Sequence, residues 1–144
     1  MNIKKNKNIE TIFRITLFLA GIINLIPSLL AFLPDNFSKS YGIEISNGNY
    51  ELLLRHRAIL FGIIGGLIIY STIVKKYYKI ATTVGLISMG SFILLFVLIE
   101  KDINLELKKV MIFDIVATVI LCIGTVLMLL KSKTLGNQLP IAKQ

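Results

Sequence analysis

The chain has 144 residues, of which 55% are apolar, and it carries a formal net charge of +8. Soluble domains are usually about 45–50% apolar, so this composition and a mean hydropathy of +0.77 indicate an integral membrane protein. The positive charge does not indicate nucleic-acid binding, because the basic residues separate apolar runs instead of forming a patch on a soluble module. With Cys122 as its single cysteine, the chain excludes an intramolecular disulfide and a cysteine-based metal site.

Four apolar runs each approach the length of about 20 residues that a helix needs to cross a bilayer. They extend from Ile12 to Leu33, from Leu52 to Val74, from Ile80 to Ile99 and from Val110 to Leu130. None shows the alternation of a strand, and helices satisfy their own backbone hydrogen bonds in lipid. The sequence therefore predicts a single all-α domain over residues 1–144, folded as an integral membrane four-helix bundle.

The first span follows basic residues, as a secretory signal peptide does, but it continues without a small-residue cleavage site, so we expect it to be retained.

The basic residues beside the spans fall mostly on one side of the predicted membrane. Cytoplasmic loops are rich in lysine and arginine, which predicts an inner-membrane protein with both termini in the cytoplasm. The residues on this side, with Glu10 as their one acid, are Lys4, Lys5, Lys7, Arg14, Lys75, Lys76, Lys79, Lys131, Lys133 and Lys143.

The first loop on the opposite side, residues 34–49, is long enough for a short element of its own. Asp35 can cap a helical turn that passes through Tyr41 and ends at Gly42. Two interpretations are open for this loop: a structured cap over the bundle and a solvated connection. Asn47 or Asn49 is a suitable N-cap residue for the second helix.

A basic cluster, Arg55-His56-Arg57, lies near the start of the second span. Charged side chains at the edge of lipid need water, headgroups or an internal partner. At about 100° per residue, Arg55 shares a stripe with Gly62 and Gly66, and small residues in such a stripe indicate a helix-packing face. Arg55 is therefore predicted to point into the bundle, Arg57 toward lipid headgroups, and His56 between them.

Asp114 of the fourth span should lie at the depth of this cluster, because both helices begin on the outer side. A carboxylate within a membrane usually pairs with another charge or faces a cavity. We expect an ion pair between Arg55 and Asp114, with Arg57 and then His56 as alternative partners. Glu51, one helical turn before Arg55, forms a second acid–base pair with it.

Each predicted helix carries one stripe of small or polar residues, which in the first span includes Asn24 near mid-membrane. Facing stripes can form plain helix packing or line a pocket open to the outer leaflet, and both interpretations are open. In the pocket interpretation, Arg55 and His56 bind the polar end of a ligand. Asp114 then holds the arginine in place, and Asn24 supplies a deeper hydrogen bond.

The run from Glu51 to Gly62 resembles a sequence signature of small bacterial four-helix membrane proteins of the DoxX-like superfamily. The segments Asn24–Pro27, Ser40–Gly42 and Gly85–Phe92, together with Asp114, add to this resemblance, which covers almost the whole chain. It implies a link to quinone-dependent sulfur oxidation or to membrane redox complexes, and it makes quinone a candidate ligand. Most members of the wider superfamily have no assigned activity.

These observations favour a protein that binds a small apolar or amphiphilic molecule, a lipid or a quinone, between its helices near the outer leaflet. The competing interpretation is a structural or accessory subunit of a membrane complex, with a protein partner or a second copy of the chain on the glycine stripe. A third is a membrane isomerase or oxidoreductase in which His56 and an acid transfer protons. The sequence contains no phosphate-loop, zinc-protease or serine-hydrolase motif, and a lone histidine cannot form an all-histidine metal site.

Overall fold

The computed structural model describes residues 2–29, 32–33, 39–44, 47–99 and 102–137. Within these ranges the chain contains four long helices and no strand: α1 is Asn2–Leu29, α2 is Gly48–Val74, α3 is Tyr78–Leu98 and α4 is Leu105–Asn137. Each is long and apolar enough to cross a membrane. The all-α prediction is confirmed, and the four helices fit the predicted membrane bundle. Relative to the predicted spans, α1 begins ten residues earlier, at Asn2, and α4 extends seven residues further, to Asn137.

Contacts between distant parts of the chain show which helix ends lie together. Arg14 Nη2 donates to the carbonyl oxygen of Thr72 at 3.0 Å, and Lys131 Nζ lies 3.4 Å from Glu10 Oε2. These contacts join the amino-terminal part of α1 to the last turn of α2 and to α4. The short turn between α2 and α3 lies at the same end of the bundle, with Lys75 and Tyr77 in the left-handed region at φ 57° and 62°.

The centre of the bundle is filled by apolar side chains from all four helices. Leu17 of α1, Ile68 of α2, Met89 of α3 and Leu121 of α4 are each at most 1% exposed and belong to one contact cluster. Many other large apolar side chains are exposed on the outside of the bundle. A bilayer solvates such side chains, so this distribution is the one expected of membrane helices.

The most extensive helix contact lies between α1 and α2, where two glycines meet. A Cβ atom at Gly65 would lie 2.7 Å from the carbonyl oxygen of Gly21 and 2.7 Å from the backbone nitrogen of Leu25. Gly62 also faces α1, against Ser28. Gly66, which we predicted to pack against another helix, is exposed, and a Cβ atom added to it would meet open space within 4 Å. Gly65 therefore takes the packing position that the sequence suggested for Gly66.

At the other end of the bundle, residues 39–44 lie over the helix ends as a cap. Tyr41 is only 6% exposed and packs beside Ala58. Asn104, just before α4, donates through Nδ2 to the carbonyl oxygens of Tyr41 at 2.7 Å and Gly42 at 3.0 Å. Gly42 adopts φ +58°, which suits glycine. These contacts favour the cap over the solvated loop.

The two helix N-cap residues predicted in this loop region have different outcomes. Asp35, expected to begin the helical turn, lies outside the described residues. Asn47 is the N-cap of α2, as one of the two predicted alternatives, and its side chain accepts from the backbone nitrogens of Asn49 and Tyr50.

Candidate functional site

A cavity of about 350 Å³ lies between the four helices and the cap. Its wall is mostly apolar, with a few polar groups that converge on it, which is the usual composition of a small-molecule site. The volume is also within the usual range of about 300–1,000 Å³. The polar residues that line it are Asn24, Tyr41, Arg57, Ser88 and Asp114.

Arg57 is the basic residue of this cavity, and aromatic rings surround its guanidinium group. Its Cζ atom lies 5.8 Å from the ring centroid of Tyr41, 5.1 Å from that of Phe61 and 5.3 Å from that of Phe92. Ring faces attract a cation at such distances, which offsets part of the cost of holding the charge near lipid. These contacts use the charge of the guanidinium group and not its five N–H donors.

The fold brings the three rings to Arg57 from different elements. Phe61 follows Arg57 by one helical turn on α2, so both side chains point to the same side. Phe92 comes from α3, and Tyr41 comes from the cap. The position of Arg57 therefore depends on the packing of the cap and α3 against α2.

Asp114 of α4 is half-buried and lines the same cavity as Arg57. With a limit of 4.0 Å between nitrogen and oxygen, three ion pairs occur among the described residues, and neither Arg57 nor Asp114 belongs to them. The cavity thus contains a guanidinium group and a carboxylate of opposite charge that do not contact each other.

Asn24 is 4% exposed and lines the cavity from α1. Its Nδ2 donates to the carbonyl oxygen of Ala20 at 3.0 Å, and its Oδ1 accepts from Ser88 Oγ at 2.8 Å. A primary amide has two N–H donors, so these bonds leave one donor of Asn24 for other contacts. Asn24 therefore joins α1 to α3 and also presents a polar group to the cavity.

Tyr41 closes the cavity on the side of the cap. Burial raises the pKa of its hydroxyl group, while the nearby Arg57 lowers this pKa and Asp114 raises it by smaller amounts. The hydroxyl group of Tyr41 therefore keeps its proton at neutral pH. The influence of both charges on Tyr41 also agrees with their position in one cavity.

A second and larger cavity, of about 830 Å³, forms a groove between α2 and α3. Contact between these two helices is much smaller than contact between α1 and α2. The groove is lined mainly by large apolar side chains, including Leu60, Ile64, Ile87 and Leu95. Arg57, Phe61 and Ser88 line both the groove and the inner cavity, so the two spaces adjoin at these three side chains.

The expected ion pair between Arg55 and Asp114 is not formed, and Arg57 shares the cavity with Asp114 instead. Arg55 Nη2 donates to Glu51 Oε1 at 2.5 Å, which is the predicted pair within one helix. His56 is exposed, and neither it nor Arg55 is among the described residues that line the two cavities.

The rotation of α2 about its axis explains this difference. Its buried residues include Ala58, Gly65 and Ile68, so the inner side of α2 is centred on Gly65 and not on the stripe through Gly62 and Gly66. Arg57 lies on this inner side, whereas Arg55 lies well away from it. The sequence feature that distinguishes Arg57 from Arg55 is the aromatic ring of Phe61 one helical turn later.

Comparison of the chain with protein-family models, with curated proteins and with solved structures found no match. Within the described residues, no group of three or more histidine, cysteine, aspartate and glutamate side chains could hold a metal ion.

Proposed function

We propose that this protein binds a small apolar or amphiphilic molecule, a lipid or a quinone, between its helices. The observation that carries this proposal is the cavity of about 350 Å³, where an apolar wall surrounds Arg57 and Asp114. A bundle that served only for packing would hold these charges near lipid with no ion pair within 4.0 Å among the described residues, and the ring contacts of Arg57 offset only part of that cost. A bound molecule offsets this cost through its polar end and fills the apolar space with the rest of its structure.

The proposal includes an orientation in the inner membrane, with both termini in the cytoplasm. It is supported by the exposed basic residues Lys75, Lys76 and Lys79, which lie at the same end of the bundle as Arg14 and Lys131. Cytoplasmic surfaces of membrane proteins are enriched in such residues. The cap and the cavity then face the outer leaflet.

The resemblance to DoxX-like proteins stays a prediction, and with it the choice of quinone over lipid. Quinone rings offer carbonyl acceptors to an arginine, and lipids offer a wider range of head groups. The proposal assigns no reaction to the site. His56, which we considered as a proton carrier, is exposed and does not line the cavity.

A structural or accessory subunit is the second candidate function, and Gly66 favours it. This glycine lies on the exposed side of α2 with open space beside it, and small residues permit close approach of a partner helix in lipid. The two candidates predict different compositions of the purified protein. A ligand-binding protein retains a small molecule, whereas a subunit retains a stoichiometric protein partner or a second copy and an empty cavity.

Native mass spectrometry of the protein extracted from its own membrane tests the proposal. We expect an added mass from a retained lipid or quinone on the wild-type protein. Val110→Phe, which extends a half-buried side chain into the cavity, should reduce the retained fraction about tenfold, equivalent to about 1.4 kcal/mol of binding free energy.

Val119→Phe is the matched control, because Val119 lies on the same helix but is 51% exposed on the outside of the bundle. This variant should retain the small molecule as the wild-type protein does, and circular dichroism should show the same helix content in all three proteins. A bare mass for the wild-type protein, or equal retention by both variants, would contradict ligand binding in this cavity.

A further inference from the structure

The two charges of the cavity restrict the head group that can lie between them. Arg57 presents N–H donors and Asp114 presents oxygen acceptors. They line one cavity, and neither forms an ion pair within 4.0 Å with another described residue. A head group that reaches both side chains must therefore offer an acceptor to Arg57 and a donor to Asp114.

The sum of the two charges adds a second restriction. With both side chains ionised, a guanidinium group and a carboxylate cancel, so the cavity does not favour a ligand of either sign. An anionic head group gains attraction from Arg57 and suffers repulsion from Asp114, and a cationic head group experiences the reverse. A head group without net charge avoids the repulsion and still forms both hydrogen bonds.

The groove between α2 and α3 has the shape and lining for the rest of such a ligand. It is larger than the inner cavity and mainly apolar, and it meets that cavity at Arg57, Phe61 and Ser88. Because the groove lies between two membrane helices, an alkyl chain can enter it sideways from the bilayer. The head group then lies beside Arg57, at the entrance to the cavity that contains Asp114.

We propose that the ligand is a single-chain amphiphile whose head group has no net charge and contains both a hydrogen-bond donor and an acceptor, as a hydroxyl group does. Its head group lies between Arg57 and Asp114, and its chain lies in the groove between α2 and α3. This inference rests on the proposed function and adds the chemical class of the ligand and its route of entry.

A tryptophan reporter in the groove measures this binding directly. The chain contains no tryptophan, so Ile87→Trp, at an exposed side chain that lines the groove, provides a single fluorescent group. The probes are three amphiphiles with the same brominated alkyl chain and a hydroxyl, carboxylate or ammonium head group. They are added at a pH where the acid is ionised and the amine is protonated. Bromine quenches the reporter when the chain occupies the groove.

In the reporter protein, we expect the hydroxyl probe to bind on the order of tenfold more tightly than either charged probe. Asp114→Asn leaves the charge of Arg57 unbalanced and should shift the preference to the carboxylate probe. Arg57→Gln leaves Asp114 unbalanced and should shift it to the ammonium probe. Arg55→Gln removes a positive charge outside both cavities and should leave the ranking unchanged.

The outcomes separate this inference from the proposed function. Quenching by all three probes with equal affinity, or a carboxylate or ammonium probe that binds best before any charge is changed, overturns the inference and leaves ligand binding intact. Absence of quenching by every probe overturns both. The ranking in the reporter protein needs neither charge variant, so the inference can be tested even where a charge variant does not fold.

Discussion

Helix α2 has two different neighbours, and it packs against them in opposite ways. On one side, Gly65 brings its backbone against that of α1 at Gly21 and Leu25. Toward α3, Arg57, Phe61 and further large side chains face a groove of about 830 Å³. The same helix thus has its most extensive contact with α1 and much less contact with α3.

This contrast follows from the way helices associate in lipid. Burial of apolar surface gives little driving force there, because lipid tails are as apolar as the side chains, so close contact depends on small residues and shared hydrogen bonds. Glycines permit this close contact between α2 and α1. Large rings and an arginine prevent it on the side of α3 and leave space that a molecule from the bilayer can occupy. Stability and ligand binding are therefore expected to depend on different residues of α2.

Gly65→Ala should have the largest effect on stability, because it breaks the close contact. The added methyl group would lie 2.7 Å from backbone atoms of α1, which cannot move aside as a side chain can. We expect the free energy of unfolding in detergent to fall by about 2 kcal/mol, as for overpacked sites in general. Denaturant titration followed by circular dichroism measures it.

Gly66→Ala is the matched control for this substitution, since it adds the same methyl group one residue later into open space. Alanine favours a helix over glycine by about 0.5–1 kcal/mol, so this variant should be neutral or slightly more stable. Equal losses in both variants would mean that the glycine contact with α1 does not determine stability.

Ser88→Ala should have a smaller effect, because it removes one hydrogen bond that joins α3 to α1. Ser88 Oγ donates to Asn24 Oδ1 at 2.8 Å between buried side chains. Loss of this donor should reduce the free energy of unfolding by about 1 kcal/mol, in the range of hydrogen bonds between membrane helices.

Ser91→Ala provides the comparison for Ser88, because the hydroxyl group of Ser91 donates to a carbonyl oxygen of its own helix. The same denaturant titration should show a change close to zero for this variant. A loss in Ser91→Ala as large as that in Ser88→Ala would argue against a contribution from the bond between helices.

The features of this molecule that could be predicted from its sequence are local ones. Runs of apolar residues set the lengths of the spans. Side-chain chemistry makes Asn47 an N-cap, and a spacing of one helical turn brings Glu51 and Arg55 together. Asn24 and Asp114 were also predicted to face a shared space, because polar groups in a span rarely face lipid, and both line the inner cavity.

The features that could not be predicted depend on the rotation of α2. Apolar residues surround this helix, so no amphipathic stripe identifies its inner side, and three glycines offered two alternative packing faces. The choice of Gly65 depends on Gly21 of α1, a pairing between distant parts of the chain. An error in this rotation exchanges the predicted directions of Arg55 and Arg57, so that the wrong arginine is expected to face the inside of the bundle. The contribution of Tyr41 was also missed, because a loop has no periodicity that shows where it packs.

Arg55→Gln should have a smaller effect than Ser88→Ala, because Arg55 belongs neither to the close contact with α1 nor to the groove. Its partner Glu51 lies on the same helix, and both side chains are more than a third exposed, at 37% and 38%. Exposed pairs of this type contribute only about 0.3–0.5 kcal/mol, because solvent screens the charges. We therefore expect a small loss in the denaturant titration and unchanged retention of the bound molecule in native mass spectrometry.

Arg57→Gln should reduce retention of the bound molecule, because its guanidinium group faces the cavity. It should leave the free energy of unfolding nearly unchanged, because Arg57 has aromatic neighbours and no ion pair among the described residues to lose. If Arg55→Gln abolished retention and Arg57→Gln did not, the binding side of α2 would be the one that the sequence first suggested.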